Sequence, residues 1–225
     1  MQRRKQIKAY HFTVEGQTEA LYLKRLKELI NEQANANCKV DFTIKKCERD
    51  HPLRYAKSLG LGVEEVYHCI DYEGGTEDYS KNLANILRDL IAARKEKGIK
   101  YHLCYSNLTF ELWIILHKAD CRSYKANQDK YLKDINNAFK IKFECLNDYK
   151  KEVNFKKLLS SITLTDIENA IKRAKDIDAY NANTYKPIKS GLSKGVFGDT
   201  YFENNPSLNF HKLVEKILKQ CGLLK

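Results

Sequence analysis

Two carboxylates four residues apart, Glu15 and Glu19, lie in the stretch Val14-Glu15-Gly16-Gln17-Thr18-Glu19, where an apolar run gives way to a helical pattern. At a strand-to-helix turn this spacing offers hard oxygen ligands to a divalent cation, Mg2+ first among them. A third ligand is expected from Cys69-Ile70-Asp71-Tyr72-Glu73, the polar end of another strand-like run. Parallel α/β proteins gather reactive groups beyond the carboxyl ends of their strands. Asp71 is the ligand expected there. Glu73 joins it only if the strand continues that far, since residues i and i+2 share a strand face. Glu77 and Asp78 are near enough to substitute, although they also suit the start of the next helix. If Glu15 and Asp71 stand on neighbouring strand ends, both reach one ion, and Glu19 reaches the same ion or a second. In a two-metal arrangement the ions stand about 3.5–4 Å apart. Each acid taken singly also suits an ordinary turn or helix start.

A second polar turn follows in Ser106-Asn107-Leu108-Thr109-Phe110-Glu111-Leu112-Trp113. Glu111 is a candidate metal ligand or water-orienting base, and Asn107 a candidate hydrogen-bond donor to phosphate. Against this, Ser106 or Asn107 can cap the helix, with Glu111 as helix-start electrostatics. Trp113 and Leu116 suit a core, and His117 either a helix end or a phosphate-facing position. Glu15-Gly16-Gln17-Thr18 is no GxxxxGK[ST] phosphate loop, and Gly74-Gly75 is too little for a dinucleotide fingerprint. His68-Cys69 and His102 with Cys104 can meet across strands, but no spacing indicates tetrahedral zinc.

The elements that must position these groups are legible as an alternation. Ala9 to Val14 reads as a strand, and the helix after Gly16 puts Leu21, Leu26, Leu29 and Ile30 on one side. Val40, Phe42 and Ile44 mark a second strand, Glu64 to Ile70 a third, and Ile99 to Tyr105 a fourth. Between the last two, a helix runs through Leu83, Ile86, Leu87, Leu90 and Ile91 and ends near Gly98, and Phe110 to Leu116 begins another. This predicts an α/β core around a mainly parallel sheet with helices on both faces. After about Lys118 the chain becomes rich in Lys, Asn and Asp, with helical patterns at 130–139, 155–159 and 166–177. Residues 181–205 form a long polar passage suited to a lid, clamp or spacer. A final amphipathic helix carries Phe210, Leu213, Val214, Ile217 and Leu218. The expected division is a metal-binding core over 1–118 and a basic, mostly helical extension over 119–225 packed on it.

Forty Lys and Arg against 29 Asp and Glu give a net charge of +11. A surplus spread along the chain suits a phosphate backbone read by shape and charge, though it also serves solubility. Lys186, Lys189 and Lys194 lie in the long passage and are candidates for substrate phosphate. Seven cysteines without a CxxC pair read as reduced thiols, and no run approaches the roughly 18 apolar residues of a membrane span. A soluble cytoplasmic protein is expected. The acids and the charge together favour a Mg2+-dependent hydrolase of DNA or RNA, with Mn2+ able to substitute. A non-catalytic nucleic-acid-binding or regulatory component, and phosphoryl chemistry on a small nucleotide, are the competing readings.

In order along the chain, these elements resemble the RloB-like family of TOPRIM-fold, defence-associated prokaryotic proteins. Val14 to Glu19 resembles its EGxTE element, Asp71-Tyr72-Glu73 its acidic DxD element, and Ser106 to His117 its SNPxFExWLLLH stretch. Ala170-Ile171-Lys172-Arg173-Ala174 and Asn205-Pro206-Ser207 resemble the later AIxRA and NPST pieces. Glu73 stands where the family has a second aspartate, and Leu108 where it has proline. The resemblance implies a TOPRIM nuclease related to OLD-like nucleases. Glu15 is then its leading metal-associated or proton-transferring acid, Asp71 a metal ligand, and Glu19, Glu73 and Glu111 the next carry-overs. It also implies a role in anti-phage defence, an ATPase partner and a homo-oligomer.

Overall fold

The computed structural model describes residues 5–46, 52–60, 62–72, 77–187 and 201–225, without the side chains of 52, 53, 77–82 and 97. Its centre is a five-stranded sheet in the order β2-β1-β3-β4-β5, formed by β1 (Gln6–Val14), β2 (Cys38–Lys46), β3 (Glu65–Asp71), β4 (Lys100–Asn107) and β5 (Ser207–Leu208). The first four strands are parallel, and the short β5 pairs antiparallel with the end of β4. This confirms an α/β fold around a mostly parallel sheet flanked by helices.

Helix α1 (Gln17–Asn31) leads from β1 outward to β2, whereas α2 (Pro52–Ser58) and α3 (Glu77–Lys97) accompany the steps to β3 and β4 in the opposite direction. Right-handed crossovers then require α1 on one face and α2 and α3 on the other. The two hydrophobic cores follow that division. Tyr10, Phe12 and Val14 of β1 and Tyr67 and Cys69 of β3 pack with Leu23, Leu26 and Ile30 of α1. Val66 and Ile70 of β3 and Tyr101 and Leu103 of β4 face the other way, against Leu83, Leu87 and Leu90 of α3. Strand β3 is buried at every position between its two end residues because both of its faces are covered. The sequence pattern missed α2.

Among the described residues, the remaining α-helices are α4 (Glu111–Leu116), α5 (Tyr131–Phe139), α6 (Leu146–Lys150), α7 (Glu152–Ser160), α8 (Leu164–Thr184) and α9 (Phe210–Gln220). Apolar residues of α4, α5, α7, α8 and α9 join the core on the α1 face. Helix α8 starts with a reciprocal capping box between Thr163 and Asp166 and runs past the expected end of its pattern to Thr184. The passage foreseen over 181–205 is thus helical at its beginning. Buried Asn181 anchors that last turn by donating from Nδ2 to the Pro206 carbonyl, 2.9 Å away. Asn209 ties the chain's return to β4: its Oδ1 accepts from the Tyr105 N–H at 2.7 Å and its Nδ2 donates to the Leu103 carbonyl at 2.8 Å. Among the described residues, no helix is long and apolar enough to cross a membrane.

Candidate metal centre

The sheet order reverses direction between β1 and β3, and the crevice beyond the carboxyl ends of strands at such a point is where ligands bind in open α/β sheets. Glu15 extends β1, Asp71 closes β3, and Thr109 and Glu111 follow β4. Register brings these ends together, with Val14 opposite Cys69 and Asp71 opposite Ser106. The Asp71 N–H donates to Glu15 Oε2 at 3.2 Å. The Thr109 hydroxyl lies within donating reach of Asp71 Oδ2, at 3.1 Å, and of Glu111 Oε2. A hydroxyl has one proton, so both contacts are hydrogen bonds only when one of the two carboxyls is itself protonated.

Glu19, on the first turn of α1, joins the group electrostatically. It is buried, and its Oε2 has no hydrogen-bond partner among the described residues. Burial pushes its pKa from 4.5 up to about 7, and the charges of Glu111 and Glu15 add to the effect. The Asp71 carboxyl is also held well above the usual range, first by burial and then by Glu19, Glu111 and Glu15. Mutual repulsion of this kind shows that the acids share one electrostatic environment. Gly16 has extended backbone that any residue can adopt. Its role is spatial: a Cβ there would lie 2.6 Å from Glu19 Oε2, so glycine leaves room for the buried carboxylate.

Two groups that the sequence pattern did not single out come from the second half of the chain. Lys150, at the end of α6, places Nζ 3.3 Å from Glu111 Oε1. Burial lowers its pKa, but attraction to Glu111 and Asp71 outweighs that and raises it. Its neighbour Tyr149 is fully buried and packs edge-on against Phe143 and Phe155. Its hydroxyl has no hydrogen-bond partner among the described residues, and burial together with Glu111, Glu19 and Asp71 drives its pKa far up. Lysines at 186, 189 and 194 were the expected cations. Lys186 is exposed beyond α8, and Lys189 and Lys194, like Glu73, lie outside the described residues.

Glu15, Glu19, Asp71 and Glu111 therefore come together, while Asn107 does not face substrate. It is buried, and its Nδ2 donates to the carbonyls of Phe202, at 3.3 Å, and Glu203, at 2.9 Å, holding the segment that leads into β5. The correction has a simple origin: a side chain at the end of a strand with a partner strand beside it satisfies backbone groups before it reaches solvent. The peptide bond that follows it, Asn107–Leu108, is cis. His117 is likewise structural. Its Nδ1 faces the carbonyls of Trp113 and Ile114, and its Nε2 is 3.1 Å from the Tyr22 hydroxyl. Cys69 and Cys104 stand opposite each other on β3 and β4, whereas His68 pairs with Thr13 and His102 stacks on Tyr67, so no cysteine-histidine site forms from them.

Among the described residues, no three histidines, cysteines or carboxylates are close enough together to hold one ion at once. Glu111 is drawn toward Thr109 and Lys150, and Glu15 toward the Asp71 amide. The donor chemistry nevertheless fits a hard divalent cation: all four groups are carboxylates, and the buried Glu19 Oε2 lacks a partner among the described residues.

The later sequence elements position this pocket from outside. Arg173 donates from Nη1 to the carbonyls of Leu116, at 2.6 Å, and His117, at 3.2 Å, and so caps α4, while Ala170, Ile171 and Ala174 pack inward. Asn205 brackets Lys125, accepting from its N–H at 2.8 Å and donating to its carbonyl at 3.1 Å. No curated protein and no solved structure matches the chain. The family of RloB-like proteins matches it over residues 10–217, a span holding all four acids, Tyr149, Lys150 and Arg173, and the chain belongs to that family.

Proposed function

We propose that this protein is a nuclease of TOPRIM type that hydrolyses phosphodiester bonds of DNA or RNA with the help of Mg2+ or Mn2+, acting in the cytoplasm in anti-phage defence. The observation that carries the reading is the convergence of Glu15, Glu19, Asp71 and Glu111 beyond three adjacent strand ends in a chain of net charge +11. Asp71, Glu19 and Glu15 would hold the metal, with Glu73 as a further ligand. When bound, the metal would supply Lewis acidity toward a phosphodiester oxygen. Glu111 is oriented by the Thr109 hydroxyl and is the acid best placed to accept a proton from an attacking water. The chain's surplus of positive charge draws the nucleic-acid backbone toward the crevice without reading its bases.

The test is incubation of the purified protein with mixed DNA and RNA in the presence of Mg2+ or Mn2+. Cleavage is expected, and a Glu15→Ala, Asp71→Ala double variant should lose it. Undiminished cleavage by that variant would overturn the assignment.

One observation favours a second reading. Because no three donors are in place together among the described residues, the chain can also be a component whose site is completed by an ATPase partner or a second copy, or one that binds nucleic acid without cutting it. Salt-dependent binding that the same double variant leaves unchanged, with no turnover by the wild type, would support that reading.

A further inference from the structure

The acid pocket already holds a cation of its own. Resting on the metal-dependent reading above, we propose that Lys150 is a tethered counter-cation: it sets the affinity of the pocket for divalent metal and, once displaced from Glu111, takes up a phosphate of the incoming nucleic acid. Glu111 is 1% exposed, whereas the Lys150 side chain is 38% exposed, so the ammonium reaches in from the rim to a carboxylate that cannot itself move out to water. Its charge acts on Glu111, Asp71 and Glu19 together.

A divalent ion among the same carboxylates would do the neutralising that Lys150 now does. Two cations sharing the Glu111 side of the pocket would repel each other, so metal entry and the Lys150–Glu111 contact oppose one another. The displaced group cannot leave with its helix. Tyr149, one residue earlier, is fully buried between Phe143 and Phe155 and fixes the backbone of α6. Lys150 must therefore turn away by rotation of its own flexible side chain, which leaves an unpaired ammonium at the mouth of the pocket. A phosphate drawn to that ammonium releases Glu111, and a metal at the acids releases the ammonium. By linkage, each ligand then raises the affinity for the other.

Calorimetric titration of Mn2+ alone into the full-length protein tests this, comparing wild type with K150M, K150Q and K150R and with K157M as an exposed lysine control on α7. A partly exposed ion pair contributes on the order of 1 kcal/mol, so K150M and K150Q should bind Mn2+ about five- to tenfold more tightly. K150R and K157M should stay within about twofold of wild type. A short single-stranded phosphorothioate oligonucleotide should tighten Mn2+ binding to wild type and have little effect on K150M. Melting curves identify any variant that has not folded, and the methionine and glutamine replacements serve as independent tests. Equal or weaker Mn2+ binding by both folded variants overturns the role of Lys150 and leaves the metal site standing. No Mn2+ binding by any form overturns the metal reading and this inference together.

Discussion

Replacing Glu19 with glutamine should stabilise the metal-free protein while removing part of its function. The Glu19 carboxyl titrates at about 7 in the fold against 4.5 when unperturbed, because burial disfavours its charged form. With the folded value raised, the folded state keeps a proton that the unfolded chain has released. Wild-type stability is therefore whole below about pH 4.5 and falls as pH rises through 7. Once both states are ionised, the difference is roughly 3 kcal/mol, at about 1.4 kcal/mol for each pH unit separating the two values. Glutamine has the same shape and never ionises, so it should gain about 1–3 kcal/mol at pH 8 and less than about 1 kcal/mol at pH 5. Urea unfolding of wild type and E19Q in EDTA at the two pH values measures this directly. The reasoning is refuted if E19Q is no more stable than wild type at pH 8, or if its gain is the same at pH 5. Excess Mg2+ should narrow the gap at pH 8, since a bound cation offsets the same charge.

Gly16→Ala should fold with a stability change below about 1 kcal/mol yet lose about a hundredfold in cleavage rate, because the new Cβ displaces the Glu19 carboxylate by around an ångström; unfolding curves beside nuclease assays would check it. Arg173→Met should lower stability by roughly 1–3 kcal/mol by leaving the Leu116 and His117 carbonyls without their charged donor, read as a shifted urea midpoint. His68 and His117, both held at about 4 by burial, are neutral in the fold above pH 6.5. In an E19Q background, acidification from pH 6.5 to 4 should therefore cost roughly 3 kcal/mol for each histidine, opposed in the same range by the raised Asp71 carboxyl, so the histidine share is read as a difference: the Tm of E19Q with His117→Gln should change in the stabilising direction relative to E19Q alone as pH is lowered.

The sequence by itself determined the four parallel strands and the acids that end or follow three of them. Both signals are local: apolar runs such as Val66 to Ile70 report burial on two faces, and a change from strand to helix period locates the turn where Glu15 or Glu111 must stand. It also identified the final helix, whose apolar stripe of Phe210, Leu213, Val214, Ile217 and Leu218 is buried throughout. Only the tertiary structure decided the order β2-β1-β3-β4-β5, which turns separate strand ends into neighbours and makes one pocket of Glu15, Asp71 and Glu111. It brought Lys150 to the buried Glu111, and it turned Asn107 from a phosphate donor into a clamp on Phe202 and Glu203. Neither outcome has a local signature. Lys150 is one lysine among many on a short helix, and Asn107 carries the side chain of any polar turn. What distinguishes them is the partner that folding brings within about 3 Å from tens of residues away, and hydrogen bonds and charges act over just that range.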